Sequence, residues 1–308
     1  MTKLRLPVIL PLVGIFAIAS SGLAAPPKAS GLLSWRGPDQ TGAIPGKGYP
    51  AKWGGPGGEN HLWTHKVKGG GTPVIANGKL YSFGYYDNPK DLSDVQEALI
   101  CLDPETGELV WEYRFSDFIS DVVYNRYAVG SPIVDAETGN VYLQSSNGRL
   151  MAFTADGKRL WEHSLVEKLA RLTFPNGRTG SLGLQGPVVI VHCVTANWGT
   201  TGPARDRLYA FDKITGELVW YSTPGTVPDD SSFSMPVYTT IDGHRVGYTG
   251  HGCGNITSVD MRTGKALWRF QFAKGGVNSQ ILKYGEDKIC LLYTSPSPRD
   301  GLLYRMPS

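Results

Sequence analysis

The stretch Asp212-Lys213-Ile214-Thr215-Gly216-Glu217-Leu218-Val219-Trp220 decides the fold, because the chain repeats it. Full copies stand at 103–111 and 260–268, and a shortened copy stands at 156–161. Apolar residues alternate with other residues before each copy, and this pattern around a short polar segment with Gly predicts a β-hairpin. We expect the Asp carboxylate to accept backbone N–H bonds in the turn and the Gly to take a positive φ. The recurring residues are Asp103, Gly107, Trp111, Asp156, Trp161, Asp212, Gly216, Trp220, Asp260, Gly264 and Trp268.

The closing Trp recurs about every 50 residues, which is too long for one hairpin. A second hairpin precedes the repeat, as where 131–134 turns at 137–140 into 141–143. Four short strands per unit with Gly-marked turns are typical of a β-propeller blade. Burying a Trp side chain removes roughly 150–250 Å² of its surface from water, and one hairpin cannot bury it alone. We therefore predict stacked blades, placed at about 72–115, 131–163, 179–222 and 235–272, with a fifth starting near Val277.

The segment from Ala210 to Trp220 reads Ala-x-Asp-x-x-Thr-Gly-x-x-x-Trp and resembles the tryptophan-docking motif of the PQQ-like (quinoprotein-type) β-propellers. The resemblance spans residues 35 to about 288, and the N-terminal residues 35–39 and 60–63 look like those of secreted bacterial PQQ-binding-like repeat proteins. It implies an all-β propeller of four-stranded blades. It does not separate catalytic quinoprotein dehydrogenases from assembly-factor propellers, which share the repeat. A WD40 propeller is disfavoured, because no Trp-Asp pair closes a repeat.

Four segments divide the chain. Residues 1–25, with Lys3 and Arg5 before an apolar run and small residues, predict a secretory signal peptide, so we expect a periplasmic or secreted bacterial protein without a transmembrane segment after cleavage. Residues 26–59 form a Pro/Gly-rich extension, expected to be attached by Trp35 and Trp53. The partial propeller is placed at 60–289.

The tail at 290–308 breaks the repeat and resembles a translated sequencing adapter; a genuine disordered terminus is the alternative. We expect a truncated ring of about four complete blades plus a partial one, where a complete ring would have seven or eight. With no signature hairpin before it, Trp63 is expected on an outer strand that completes the last blade and joins the ends of the ring.

The formal charge is +3. Removing Lys3, Arg5, Arg299 and Arg305 from the basic residues and Asp300 from the acidic ones leaves equal numbers of each. This balance gives no net positive charge of the kind that attracts nucleic acid or an anionic membrane.

The cysteines occur singly, at Cys101, Cys193, Cys253 and Cys290. Cys193 and Cys253 fall in neighbouring blades, where they form either a disulfide or, as we expect, small buried core residues. The resemblance implies that catalytic quinoproteins carry adjacent disulfide-bonded cysteines, a calcium ion held by carboxylate and amide side chains, and an Asp base. No two cysteines are adjacent here and no Cys-x-x-Cys-His haem motif occurs, so we assign no catalytic residue and no metal ligand.

The long connections predict where a ligand or partner binds. They fall between second and third strands (86–97, 195–206) and between blades (116–130, 164–178, 223–234), positions that emerge on one face of a propeller. We call this the elaborated face, and the opposite face, which carries the short turns, the plain face. The candidate ligand- or partner-binding residues on the elaborated face are Asn176, Arg178, Trp198, Arg205, Asp230, Ser231, His251 and Cys253.

Each candidate also has a structural interpretation. Arg205 and Asp206 form a loop-fixing ion pair in that interpretation, and Asp230 or Ser231 caps its loop. Trp198 is either a ligand platform or a lid over the mouth of the ring. His192 is expected to be a satisfied core or edge histidine, and His251 with Cys253 lacks the second ligand pair of a structural zinc site.

The aromatic insert Tyr113, Phe115, Phe118, Tyr124 and Tyr127 is expected to be a packed cover rather than a partner site. Together these patterns favour a non-catalytic interaction or assembly scaffold without a cofactor, which binds a protein partner or a small polar ligand on the elaborated face. The alternative is a quinoprotein-type oxidoreductase that binds pyrroloquinoline quinone (PQQ) and Ca²⁺ near the propeller axis.

Overall fold

The computed structural model describes residues 28–37, 40–44, 46–88, 91–116, 127–169, 180–195, 204–285 and 288–291. Within these residues the elements are β1 (Gly31–Leu32), β2 (Val74–Ala76), β3 (Lys79–Asn88), β4 (Asp91–Leu102), β5 (Leu109–Ser116), β6 (Ile133–Val134), β7 (Val141–Gln144), β8 (Arg149–Phe153), β9 (Arg159–Ser164), α1 (Leu165–Leu169), β10 (Gly183–Gln185), β11 (Val188–Thr195), β12 (Arg205–Asp212), β13 (Leu218–Ser222), β14 (Val237–Ile241), β15 (His244–Gly250), β16 (Asn255–Asp260), β17 (Ala266–Gln271), β18 (Leu282–Tyr284) and β19 (Lys288–Cys290).

The strands form antiparallel sheets in which neighbours in sequence are neighbours in the sheet. The sheets β2–β5, β6–β9, β10–β13 and β14–β17 are four complete blades, β1 adds a fifth strand to the first of them, and β18–β19 is a separate two-stranded sheet. The predicted four-stranded propeller blades are confirmed. None of the helices among the described residues is long and apolar enough to cross a membrane.

The repeat turns have the predicted conformation. Asp212 Oδ1 accepts hydrogen bonds from the backbone N–H groups of Ile214 and Thr215 at 2.9 and 2.8 Å. Gly216 has a φ of 74°. The hydrogen bond from Thr215 leads the interactions that hold the pKa of Asp212 below its ordinary value. The carboxylates at the equivalent positions of the first and fourth blades accept the same pair of bonds.

Trp111, Trp161 and Trp220 each dock on the turn of the following blade. Trp220 donates its indole N–H to Met261 O at 3.2 Å, and a Cβ atom placed on Gly264 would lie 2.6 Å from the indole ring. Trp161 donates in the same way to Lys213 O. Glycine is therefore required in the turn twice, for its positive φ and for the close approach of the ring.

Trp63 docks on the first blade as Trp220 docks on the fourth. Its indole N–H donates to Pro104 O at 2.9 Å, and the ring lies over Gly107. The expected outer strand is absent from the described residues 60–67, where the backbone next to Trp63 forms no strand. The prediction of a strand at Trp63 was therefore wrong.

One predicted loop is instead part of the first blade. The connection at 86–97 was expected to be an insert on the elaborated face, but β3 and β4 continue through most of it as a long hairpin, in which Tyr85 pairs with Glu97 and Tyr86 with Gln96. Side chains that alternate between the two faces of the sheet continue along both strands, and the β3–β4 hydrogen-bond ladder extends beyond the end of the blade. The connections at 116–130, 164–178 and 195–206 lie partly outside the described residues, whereas 223–234 is described in full. The helix α1 begins the connection at 164–178.

The hydrophobic core lies between the blades. One cluster joins the first two blades and includes Leu99, Leu143 and Met151. A second cluster joins the second and third blades, and a third joins the third and fourth blades around Trp220. Each blade is thus stabilised by burying its faces against its neighbours, as in other repeat architectures.

Candidate functional site

The structure describes only some of the predicted site residues. Asn176, Arg178 and Trp198 lie outside the described residues, as do Phe118 and Tyr124 of the aromatic insert. Of the rest of that insert, Phe115 and Tyr127 are buried, and Tyr113 packs against Phe115 and Phe153.

The expected ion pair between Arg205 and Asp206 is not formed. Arg205 donates through Nη1 to the backbone oxygen of Ala204 at 2.7 Å. Asp206 points into the protein interior and is completely buried. Successive side chains of a strand point to opposite faces of the sheet, so the adjacent residues Arg205 and Asp206 do not face each other.

Asp206 is the centre of a buried ionisable cluster between the third and fourth blades. Its Oδ1 lies 2.6 Å from His192 Nε2 and 2.9 Å from His251 Nδ1. Its Oδ2 accepts the backbone N–H of Gly252 at 2.8 Å. All three side chains of this His192–Asp206–His251 cluster are fully buried.

The hydrogen-bond partners of the imidazole rings indicate which ring nitrogens carry protons. His192 Nδ1 lies 2.8 Å from Ser234 O, a carbonyl oxygen that can only accept, and His192 Nε2 faces the carboxylate of Asp206. Both ring nitrogens of His192 therefore donate, and the ring is an imidazolium. His251 Nδ1 lies 2.9 Å from Asp206 Oδ1, and its Nε2 lies 2.8 Å from the hydroxyl of Thr257, which can either donate or accept.

The Asp206 carboxylate and the His192 imidazolium form the ion pair of the cluster. Burial favours the neutral form of His192, but the Asp206 carboxylate and the hydrogen bonds of the ring outweigh burial and raise the pKa of His192 above its ordinary value. Burial alone would raise the pKa of Asp206, but the two imidazoles hold it well below its usual range. This is a buried ion pair with every hydrogen-bonding group of the three side chains satisfied.

The same three residues offer ligand atoms within 4.8 Å of one another, a spacing that a metal ion can span. A structural zinc site uses four ligands, and each must present a lone pair. Here the imidazole nitrogens that face Asp206 carry protons at hydrogen-bond distance from its carboxylate. The geometry fits a hydrogen-bonded cluster better than a metal centre.

The predicted residues near His251 have structural contacts. Cys253 is buried, and its Sγ accepts the backbone N–H of Thr226 at 3.3 Å. Ser231 is buried as well, and its backbone N–H donates to Asp230 Oδ1 at 2.6 Å, which is the expected loop cap. Gly252 packs so closely on Asp230 that a Cβ there would lie 2.1 Å from the Asp230 carbonyl oxygen.

No disulfide joins Cys193 and Cys253, as expected of small core residues. Cys101, Cys193 and Cys253 are buried, and Cys290 is exposed. Burial raises the pKa of the Cys101 thiol to about 11, which keeps it protonated and unreactive at neutral pH.

A cavity of about 420 Å³ lies along the inner strands of the blades. It is lined by the first-to-second turn residues Asp135 and Glu137, by Tyr238, and by Trp35 and Arg36 from the N-terminal extension. Both carboxylates bind Lys213 Nζ, at 2.9 and 2.6 Å. The cavity therefore reaches the plain face, whereas the sequence led us to expect a ligand on the elaborated face.

Trp35 and Arg36 are partly buried beside this cavity, with the guanidinium of Arg36 5.2 Å from the Trp35 ring centroid. Trp53, the other aromatic expected to attach the extension, is 74% exposed. The extension is thus attached at its first part, through Trp35 and the backbone hydrogen bonds of the residues before it.

Sequence reasoning did not find the His192–Asp206–His251 cluster. His192 and Asp206 are diagonal neighbours on one face of the β11–β12 hairpin, since Val194 pairs with Asp206 and His192 with Leu208. Because a long connection joins these two strands, the sequence does not show which residues of β11 and β12 pair with each other. His251 comes from another blade, so no local pattern links it to the other two.

The fold and part of the sequence are similar to those of known quinoproteins. A europium-containing methanol dehydrogenase superposes with a TM-score of 0.54 at 18% identity, over 74% of this chain and 48% of that chain. The dehydrogenase subunit of the alcohol dehydrogenase (quinone) of Gluconobacter oxydans is 30% identical over 155 residues, which is 49% of this chain and 18% of the relative. The quinohemoprotein alcohol dehydrogenase ADH-IIG of Pseudomonas putida is 27% identical over 164 residues, 50% of this chain and 20% of the relative.

The chain thus spans about a fifth of the length of these curated relatives. A family model of PQQ-like repeats, described as outer membrane protein assembly factor BamB, matches residues 55–193 and 171–286. These matches cover most of the chain and all four complete blades. The chain therefore belongs to this family of PQQ-like β-propeller repeat proteins.

Proposed function

We propose that this chain is an exported scaffold, a PQQ-like β-propeller that binds other proteins through its elaborated face and performs no chemistry of its own. Export rests on the predicted signal peptide at 1–25, and the location is periplasmic or secreted. Function in this fold resides in sites added to a shared framework, so the proposal rests on the side chains of this chain.

The burial of the ionisable cluster is the observation that carries the proposal. A catalytic acid, base or nucleophile must reach its substrate. The side chains of His192, Asp206 and His251 are 0% exposed, and their polar atoms bind one another or the adjacent backbone and Thr257. This cluster supports a structural role, in which it holds two blades together.

A pair of exposed aliphatic residues allows the proposed face to be tested. Val227, on the connection between the third and fourth blades, is 62% exposed on the elaborated face. Ile241, the last residue of β14 before the first-to-second turn of the fourth blade, is 42% exposed on the plain face. Replacing either by Arg introduces the same long, charged side chain at an exposed position and leaves the core unchanged. Only the change on a face that contacts a partner should weaken binding.

The experiment uses the purified chain as immobilised bait for detergent-solubilised envelope proteins of the source cells, with quantitative mass spectrometry of the captured proteins. We expect Val227→Arg to reduce capture of the enriched partner at least about tenfold, and Ile241→Arg to leave it unchanged. Equal capture by all three proteins, or equal loss in both variants, would contradict the assignment of the elaborated face.

The alternative is a PQQ-dependent oxidoreductase, which the relatives named as quinone alcohol dehydrogenases favour. Calcium in proteins takes six to eight oxygen ligands, several of them carboxylates. Among the described residues, the carboxylates that line the 420 Å³ cavity are Asp135 and Glu137, and both already bind Lys213. The described residues therefore do not fit a calcium-bound quinone at this cavity.

A titration of the chain with PQQ and calcium chloride, followed by intrinsic fluorescence and by dye-linked oxidation of primary alcohols, decides between the two functions. The scaffold proposal predicts neither saturable quenching nor dye reduction. Saturable PQQ binding together with turnover would overturn it in favour of the oxidoreductase.

A further inference from the structure

The N-terminal segment 28–33 is inserted into the propeller as an extra strand. In the first blade, β1 pairs with the innermost strand β2, with Gly31 opposite Ala76 and Leu32 opposite Ile75. Ser30 continues this contact, because its backbone oxygen accepts the N–H of Asn77 at 3.0 Å. One edge of the segment is therefore bound along the inner edge of the first blade.

The other edge of the same segment binds the second blade. Ala29 donates its backbone N–H to Ala136 O at 2.7 Å, and Leu33 O accepts the N–H of Val134 at 2.9 Å. The segment thus lies in a groove between β2 and β6, the inner strands of two neighbouring blades, and hydrogen-bonds to both. We call this the β2–β6 groove.

Recognition in the groove is mainly through the backbone. A strand bound in this way has little sequence requirement except where its side chains meet the walls, which is the physical basis of peptide binding by strand addition. Ala29 is 7% exposed and packs in the core between the first two blades, beside the partly buried Leu33.

Gly31 sets the sharpest requirement. It has a φ of 132°, and a Cβ atom there would lie 2.2 Å from Ile75 O in the wall of the groove. The resident strand therefore reads as a small residue, any residue, glycine and then two apolar residues. This pattern describes the ligand that the groove accepts.

We propose that the β2–β6 groove is a peptide-binding site, which residues 28–33 occupy in cis and which an extended segment of a partner protein with the same small-x-Gly-apolar-apolar pattern occupies in trans. The inference rests on the proposed scaffold function and names the form of its partner. The resident strand competes with the partner, so binding in trans is weak until the resident strand is released.

The probe is a fluorescein-labelled synthetic peptide with the sequence of residues 27–36, measured by fluorescence anisotropy against the full chain. Gly31→Val in the chain expels the resident strand and leaves the walls of the groove intact. We expect this variant to bind the peptide at least about tenfold more tightly than the unchanged chain. A second peptide, in which Val replaces the glycine equivalent to Gly31, should bind neither protein.

Gly55→Val is the matched control, because a Cβ at Gly55 meets no atom within 4 Å. This variant should bind the peptide as weakly as the unchanged chain. If circular dichroism shows that Gly31→Val does not fold, Ala29→Arg replaces it, since Ala29 is also buried in the resident strand.

Failure of this inference is distinguishable from failure of the scaffold proposal. Equal binding of both peptides, equal affinity for the released and unchanged chains, or no binding to the released chain would overturn the groove assignment. The capture experiment with Val227→Arg and Ile241→Arg tests the elaborated face independently, and its result stands whatever the peptide does.

Discussion

The interface between the third and fourth blades is joined by two contacts of opposite character. At one, Trp220 docks on Gly264 in a turn that every complete blade repeats in some form. At the other, His192 and Asp206 of the third blade bind His251 of the fourth in a cluster for which we found no equivalent in the sequence repeats. The first contact is apolar and locally encoded, whereas the second is ionic and depends on three distant parts of the chain. A repeat fold can therefore specialise one interface without changing the motif that builds all of them.

The largest expected effect comes from the ionic contact. Asp206→Ala leaves the buried His192 imidazolium without its counter-charge, and breaking a buried pair in this way costs about 3–5 kcal/mol. The free energy of unfolding in urea measures the loss. Asp229→Ala is the control, because Asp229 is exposed on the adjacent connection and its replacement should change stability by less than about 0.5 kcal/mol. Equal small losses in both variants would remove the structural role of the cluster.

The docking contact should be second in size. Gly264→Ala both strains a residue whose φ is 74° and places a methyl group against the ring of Trp220, so we expect a loss of about 2–4 kcal/mol. Gly243→Ala isolates the backbone part, because Gly243 has a φ of 77° but a Cβ there meets no atom within 4 Å. This control should lose only about 1 kcal/mol. Equal losses in the two variants would mean that the ring contact contributes nothing.

The turn carboxylate should have a smaller effect. Asp212→Ala removes the acceptor of two backbone N–H groups in an exposed turn, where water replaces it in part, so the expected loss is about 1 kcal/mol. Thermal unfolding followed by circular dichroism would show this difference. A loss as large as that of Asp206→Ala would mean that local turn chemistry and the buried cluster are equally important.

The turn carboxylate of Asp212 and the buried His192 should make stability respond to pH in opposite directions. The folded pKa of Asp212 is lowered, so the stability from this carboxylate is present above about pH 3.9, the ordinary Asp value, and is lost as the pH falls through the lowered pKa. The folded pKa of His192 is raised, so its contribution is complete below about pH 6.5 and is lost as the pH rises through the raised pKa.

Urea unfolding across this pH range tests the difference. The decrease in the free energy of unfolding at alkaline pH should disappear in His192→Gln. The decrease at acidic pH should become smaller in Asp212→Ala. If both variants keep the full pH dependence of the unchanged chain, other groups control it.

The sequence predicted the repeated contact well because every part of it is local. The turn needs only Asp212 and Gly216 at fixed spacing, and the Trp follows at a constant offset, so the hairpins, the blades and the docking direction could be inferred together. The 86–97 connection was misread because nothing in its composition distinguishes a long polar hairpin from a loop.

The candidate site was predicted less well because its contacts are not local. Arg205 and Asp206 were paired as sequence neighbours, but successive strand residues face opposite sides of the sheet, and Asp206 lies inside. His192 was correctly expected to be a satisfied core histidine. Its link to His251 depends on how two blades stack, and no periodicity in the sequence encodes that distance. The strand addition by residues 28–33 was missed for the same reason, since the aromatic residues suggested how the extension is attached and the backbone contacts could not be seen.

The protonation state of His192 tests the central claim most directly, namely that the buried cluster is a sealed structural ion pair. Two-dimensional ¹H–¹⁵N NMR of the chain labelled at histidine, with His192→Gln to assign the signal, reports whether each ring nitrogen carries a proton. We predict that His192 remains a doubly protonated imidazolium at a pH just above about 6.5, the ordinary pKa of histidine, because its pKa is raised. A His192 ring that is neutral at this pH, or whose signal shifts on addition of zinc, would contradict the account.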